Sequence, residues 1–206
     1  MEFDRFKELY EGRITQLEME LETLKSKLRE GIELIQKERE AKGVPVGTFR
    51  IRLQEARVKP VKSFFDKISD DQALSFDNAF TLGHVRDLLG ARLVCHNISD
   101  VLLIVDQLQR ARWGDLHYVK PGKGDKLWIV TPQESGYRGA HVDVRWLRPG
   151  SQNDYSYAEL QIRTLLQDAW ANFMHDDVHK ADAKLLLGEE SYRHFRDMSN
   201  SSTRST

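Results

Sequence analysis

Glu159, Gln161 and Arg163 alternate with Ala158, Leu160 and Ile162 in the run from Tyr157 to Thr164. A period of two predicts a strand with one face in a core and the other carrying a carboxylate, an amide and a guanidinium. Three such groups in a row suit a metal-bound polyphosphate, although an ordinary half-exposed strand also alternates in this way. Upstream, Asp87 stands just before a second apolar run, residues 91–95, with Arg92 near its start. One carboxylate on each of two strands is the minimal arrangement for holding Mg²⁺ beside a nucleotide triphosphate. Earlier still, Arg57, Lys59, Lys62 and Lys67 bracket Ser63, a cluster that fits a polyphosphate cradle or a solvated basic face. Gly136 and Gly139 flank a turn that presents Tyr137 ahead of His141.

These four blocks, in this order, resemble the synthetase domain of the RelA/SpoT family, the alarmone (ppGpp) synthetases. Arg57, Lys59, Ser63 and Lys67 match R-x-K-x-x-x-S-x-x-x-K, and Asp87, Gly90 and Arg92 match D-x-x-G-x-R. Gly136, Tyr137 and His141 match G-Y-x-x-x-H, and Glu159 through Thr164 match E-x-Q-I-R-T. Trp170 and His175 fit the W-x-x-x-x-H that follows, and the likeness runs over residues 45–182.

The elements that must position these groups follow from the pattern. Phe3, Phe6, Tyr10, Ile14, Leu17, Leu21, Leu24, Leu28, Ile32 and Ile35 recur at steps of three and four, which predicts one long helix over residues 3–41. The stripe fits an amphipathic helix lying along its own domain, or a coiled-coil seam. Gly43, Pro45 and Gly47 end it. A short helix is expected at 63–68, a polar irregular stretch at 70–80, and strands at 91–95, 127–130, 140–146 and around Glu159. A helix is expected over 100–112, and another from an N-cap at Thr164 to about Lys180. The expected fold is a mixed α/β sandwich with a central sheet of about five strands flanked by helices, and the resemblance relates that sheet to nucleotidyltransferase folds. The expected divisions are residues 1–42 for the leading amphipathic helix, 43–182 for the synthetase-like domain, and 183–206 for a C-terminal helix and disordered tail.

Composition narrows the classes. The 206 residues, 40% hydrophobic, suit one domain with helical extensions. Basic residues number 31 against 32 acidic, a net charge of −1, so nucleic-acid affinity would need a local patch. The single cysteine, Cys95, lies in an apolar run; it excludes an internal disulfide and fits a reducing cytosol. No signal peptide or long apolar run is visible, so a cytoplasmic protein with no membrane partner is expected.

The resemblance implies transfer of pyrophosphate from ATP to a ribose 3′-hydroxyl, usually that of GDP or GTP. Lys59, Ser63 and Lys67 would hold donor phosphates, and Arg57 and Arg92 would stack on adenine. Asp87 and Glu159 would share Mg²⁺, and Glu159 would also activate the acceptor hydroxyl. Tyr137 would stack on the acceptor base. His141, Lys126, Gln161 and Arg163 complete the expected acceptor side. Each has a plainer alternative: Asp87 as a turn cap, Tyr137 as a structural aromatic, His141 as a satisfied core histidine. Trp170 and His175 read as supports.

Two look-alikes carry no such chemistry. His175-Asp176 lacks the further ligands of a metal phosphohydrolase, so no alarmone hydrolysis is expected. Gly122-Lys123-Gly124 is too short for a P-loop. One departure from the family concerns the acceptor. Lys126, Ile129 and Pro132 keep the approach to Gly-Tyr, but Gln133, with Glu134 beside it, replaces a lysine that helps bind acceptor phosphates. That loss would weaken a diphosphate acceptor by about 1–3 kcal/mol, unless Lys120 and Lys123 compensate. Met174 stands where an acidic residue often precedes the late histidine. The resemblance therefore leaves open a toxic relative that modifies adenosine nucleotides or the tRNA 3′ end, with an antitoxin partner. An inactive partner-binding module and a homo-oligomer built on the leading helix are further alternatives. For a tRNA acceptor, Lys25, Lys27, Arg29, Lys37 and Arg39 would supply charge.

Overall fold

The computed structural model describes residues 3–45, 50–70, 85–119, 126–127, 139–175, 188–190 and 193–194. Tyr137 and Gly136, the loop lysines Lys120 and Lys123, the Gln133–Glu134 departure, the expected irregular stretch beyond residue 70, the expected strand beyond Leu127, the expected helix beyond His175, most of the expected C-terminal helix and the polar tail lie outside the described residues.

The leading stripe forms two helices rather than one: α1 (Phe3–Glu11) and α2 (Ile14–Ala41). Between them Arg13 N donates to Tyr10 O at 2.9 Å, off the regular ladder. Gly12, a poor helix former, lies at that break. The break has a packing consequence. Phe6 and Tyr10 turn toward a later helix, while Leu17, Leu24, Leu28 and Ile35 bury against the sheet in one core. The α2 stripe is thus an amphipathic face laid on its own domain, not a coiled-coil seam. Gly31 is the notch in that face: the ring of Trp113 fills the space where a Cβ would stand, and its Nε1 donates to Lys27 O at 3.2 Å.

After α2 come β1 (Ile51–Val58), α3 (Val61–Asp70), β2 (Leu89–Cys95), α4 (Ile98–Gln109), β3 (His117–Tyr118), β4 (Lys126–Leu127), β5 (Ala140–Leu147), β6 (Tyr155–Thr164) and α5 (Leu165–His175). Among the described residues the expected helices at 63–68 and 100–112 and the strands at 91–95, 140–146 and around Glu159 are present with shifted ends. Asn97 Oδ1 caps α4 by accepting from Asp100 N at 2.9 Å, so that helix begins ahead of residue 100. Thr164 is the expected cap of α5, in reciprocal form: its Oγ1 accepts from Gln167 N at 3.2 Å and its N donates to Gln167 Oε1 at 2.9 Å. The turn into β6 is closed by Arg148 N donating to Asp154 O at 2.9 Å, with Gly150 at φ +77°.

Five strands run in the order β1-β2-β6-β5-β3, and short β4 also pairs with β5. Only β2 and β6 are parallel; the other described pairs are antiparallel. Pairing sorts the side chains by face. Ala91, Leu93 and Cys95 align with Leu160, Ile162 and Thr164 on β6, and Leu160 and Ile162 face Val142 and Ala140 of β5. This is the core face, covered by α2 and α4. Burial, together with the charge of Asp100, pushes the Cys95 thiol up, so it behaves as a buried small hydrophobe. The opposite face is polar, and the candidate site lies there. Among the described residues no helix is long and apolar enough to cross a membrane.

Candidate functional site on the polar face of the sheet

Register alone brings the dispersed motifs together. On β2, Gly90 stands beside Glu159 and Arg92 beside Gln161. On β5, His141 faces Gln161 and Asp143 faces Glu159. On β1, Arg57 faces Gly90 and Glu55 faces Arg92. A cavity of about 150 Å³ opens over these positions, lined by Glu55, Arg57, Lys59, Asp87, Arg92, Glu159 and Gln161 with the backbone of Gly90 and Ala91. Asp87, in the turn that leads into β2, and Glu159, on the neighbouring parallel strand β6, therefore border one cleft.

Two lysines hold the Asp87 carboxylate. Lys67 Nζ donates to Oδ1 at 2.6 Å and Lys59 Nζ to Oδ2 at 3.0 Å. Burial works to raise this carboxyl, but the hydrogen bonds and charges of Lys67 and Lys59 together outweigh it and hold it below the ordinary carboxylate range. At Glu159, burial again pushes up. His141, with Nδ1 3.3 Å from Oε1, and Gln161, whose Nε2 donates to the same oxygen at 3.3 Å, pull it below the ordinary range. The negative charge of Asp87 opposes that pull. Both carboxylates are thus ionised at neutral pH, and they repel each other across the cleft.

That repulsion is a fit test for a cation. Two hard carboxylate oxygen donors facing one cavity match Mg²⁺, which takes few protein ligands and completes its shell with water and phosphate. Among the described residues no group of three or more His, Cys, Asp or Glu converges. When bound, the metal would neutralise phosphate charge beside Asp87 and Glu159.

The other expected residues are distributed as follows. Arg57 is exposed at the cleft rim, 3.9 Å from Glu55. Arg92 is tied down: its Nη1 donates to Asn172 Oδ1 at 3.1 Å and lies 3.3 Å from Asp168 Oδ1 and 3.4 Å from Glu55 Oε2. Arg163, expected among the acceptor contacts, is buried. Its Nη2 donates to Gln161 Oε1 at 2.7 Å and its Nη1 to Asp168 Oδ1 at 3.5 Å, which puts it behind Gln161 rather than on the open cleft. Ser63 lies exposed on the first turn of α3, outside the cavity lining. Lys126 pairs through its backbone with His141. Trp170 is buried.

Several participants escaped the sequence reading. Glu55 lies between Arg57 and Arg92; its signal was its place two residues before Arg57 on one strand. Asp168 and Asn172, one helical turn apart on α5, reach back over the sheet to Arg92. Arg86 donates to Asp143 Oδ2 at 3.2 Å and adds an ion pair beside Glu159's neighbour on β5. No local pattern marked Asp168, Asn172 or the Arg86–Asp143 pair.

Comparisons with known proteins bear on this arrangement. A family model described as "Region found in RelA / SpoT proteins" matches residues 56–184. The GTP pyrophosphokinase YwaC of Bacillus subtilis (strain 168) is 31% identical over 127 residues, which are 61% of this chain and 57% of that protein. The match thus spans little more than half of that relative. The small alarmone synthetase 2 of Bacillus subtilis has a similar structure, with a TM-score of 0.64 at 25% identity over 93% of this chain and 95% of that one. The small alarmone synthetase 1 of the same organism, bound to AMPCPP, has a TM-score of 0.60 at 26% identity, covering 94% of this chain and 95% of that one.

Proposed function

The chain belongs to the RelA/SpoT family, and from that premise we propose that it is a pyrophosphokinase that moves the β,γ-pyrophosphate of ATP to the ribose 3′-hydroxyl of GDP or GTP, making (p)ppGpp. The observation that carries this reading is the single cleft bordered by both Asp87 and Glu159, with Lys59 and Lys67 already gripping Asp87. The bond formed is 3′-oxygen to Pβ; the bond broken is Pβ to the bridging oxygen of Pα; AMP leaves. The name of the relative YwaC, a GTP pyrophosphokinase, supports the choice of reaction, and a neighbour bound to an ATP analogue supports the donor.

Each residue has a job in that step. Lys59 and Lys67 exchange Asp87 for donor phosphate oxygens and keep the triphosphate in line. Arg57 and Arg92 flank the donor base, with Arg92 fixed in place by Glu55, Asp168 and Asn172. Glu159, ionised and oriented by Gln161 and His141, takes the proton from the attacking 3′-hydroxyl. Tyr137 and Lys126 serve the acceptor side.

Incubation with ATP labelled in its β- and γ-phosphates and, separately, GDP, GTP, AMP, ATP and bulk tRNA tests this reading. Label is expected on the guanosine nucleotides. Gln133, where the family carries lysine, is the reason to include the adenosine and tRNA acceptors. Label only there would replace the guanosine assignment; label on none would remove the enzymatic reading. Gln133→Lys is expected to tighten GDP about ten-fold, a factor that corresponds to one charge-assisted hydrogen bond. An unchanged affinity would mean that this position does not face acceptor phosphates.

A further inference from the structure

Helix α1 lies outside the stretch matched by the family, yet it ends on the donor cradle. Phe3 and Phe6 pack edge-on against Phe65 of α3 at ring separations of 5.2 and 5.3 Å, and Phe6 meets Phe64 at 5.4 Å. Tyr10, one turn further along α1, lies 5.9 Å from Phe64, and its hydroxyl donates to the backbone carbonyl of Lys59 at 2.5 Å. Burial raises the Tyr10 phenol to about 12, so it remains a protonated donor throughout the physiological range.

Lys59 is consequently held at three points. Its N–H donates to Leu88 O at 2.8 Å, next to Asp87; its carbonyl receives the Tyr10 hydroxyl; its ammonium reaches Asp87 at 3.0 Å. Pro60 follows, and its carbonyl accepts from Phe64 N at 2.9 Å as α3 begins. A peptide fixed on both sides between a strand end and a helix start gives the lysine a rigid base. A long, flexible side chain then has fewer ways to miss its phosphate, and less entropy is lost on binding.

We propose that Tyr10 is a positioning residue for the donor: its hydroxyl fixes the Lys59 backbone so that the lysine meets the phosphates of a nucleoside triphosphate. This rests on the reading that ATP binds in the cleft. It assigns to the leading helix a part in donor affinity, beyond covering the core.

Tyr10→Phe removes the hydroxyl and keeps the ring. Titration calorimetry with a non-hydrolysable ATP analogue is expected to give a Kd about five-fold weaker than for the unaltered protein, the factor for ordering one loosened side chain on binding, with unchanged stoichiometry. In steady state the KM for ATP is expected to rise similarly, while kcat and the KM for the acceptor stay within about two-fold. A purely structural role would instead lower the melting midpoint and the active fraction and leave the Kd alone. Phe6→Leu, which trims the same packing but spares the phenol, is the control. An unchanged analogue Kd in Tyr10→Phe overturns the inference, as does equal weakening in Phe6→Leu. If the unaltered protein binds no analogue at all, the donor reading itself falls, and this inference with it.

Discussion

Removing the Asp168 carboxylate should destabilise the protein far more than a typical surface change. Asp168 is buried on α5 and its Oδ1 serves Arg92 at 3.3 Å and Arg163 at 3.5 Å, while Oδ2 accepts from Asn172 at 3.4 Å. In Asp168→Ala the Arg163 guanidinium stays buried without that counter-charge. Deleting one partner of a buried ion pair costs about 3–5 kcal/mol. The contacts are long and Arg163 keeps Gln161 at 2.7 Å, so the low end, about 3 kcal/mol, is expected here. For a domain of this size that lowers the melting midpoint by about 6–12 °C. Calorimetry or circular dichroism would read the shift, and an unchanged urea m-value would confirm that the unfolding reaction is the same. Asp168→Asn, which keeps an acceptor oxygen, should lie between. Replacing Asp168 and Arg163 together by Leu and Met should recover much of the loss, because the penalty comes from the orphaned charge. A midpoint drop below about 2 °C in Asp168→Ala would refute the reasoning, since ~1 kcal/mol or less is the scale of an exposed pair.

Two further outcomes follow from the same physics. Gly31→Ala should destabilise by about 1–3 kcal/mol although glycine inside a helix usually disfavours it, because the new Cβ would fall 1.5 Å from Trp113 Nε1 in a filled notch; a higher melting midpoint would show that Trp113 moves aside freely. Asp87 and Glu159 both titrate below their ordinary values in the fold, so each favours the folded state above its unfolded pKa near 4 and loses that contribution as the pH falls through its lower folded value. Urea midpoints followed from pH 7 to pH 3 should therefore fall more steeply for the unaltered protein than for Asp87→Asn or Glu159→Gln, and parallel curves would contradict the shifts.

The sheet was legible because alternation is a local signal. Val142, Val144 and Trp146, like Leu160 and Ile162, declare one buried face, and the residues between them then declare the other. The helical stripe from Phe3 to Ile35 was legible for the same reason, but its break at Gly12–Arg13 was not. A single glycine is tolerated in many helices, and what decides here is that Phe6 and Tyr10 have separate partners on α3. Tyr10 looked like another apolar member of the stripe; only the fold shows its hydroxyl at Lys59. Glu55 was obscured by the register shift between Leu53 and Glu55 on β1, which blurs the alternation. Asp168 and Asn172 sit on a helix whose pairing with Arg92 spans the sheet, and no local period encodes such a contact. The motif residues Asp87, Arg92, Glu159 and Gln161 were legible as a set through their ordered motifs, and the structure lines one cleft with all four. Arg163 shared their strand and their face, yet the cover of α5 places it beneath the site.

The most direct test of the account follows the products of a reaction containing ATP and GDP by ³¹P NMR and nucleotide chromatography. The account predicts AMP and a guanosine nucleotide bearing a 3′-pyrophosphate in equal amounts. Glu159→Gln should retain its fold and lose about 10²–10⁴-fold of the rate. Release of ADP in place of AMP, or full transfer by Glu159→Gln, would contradict it.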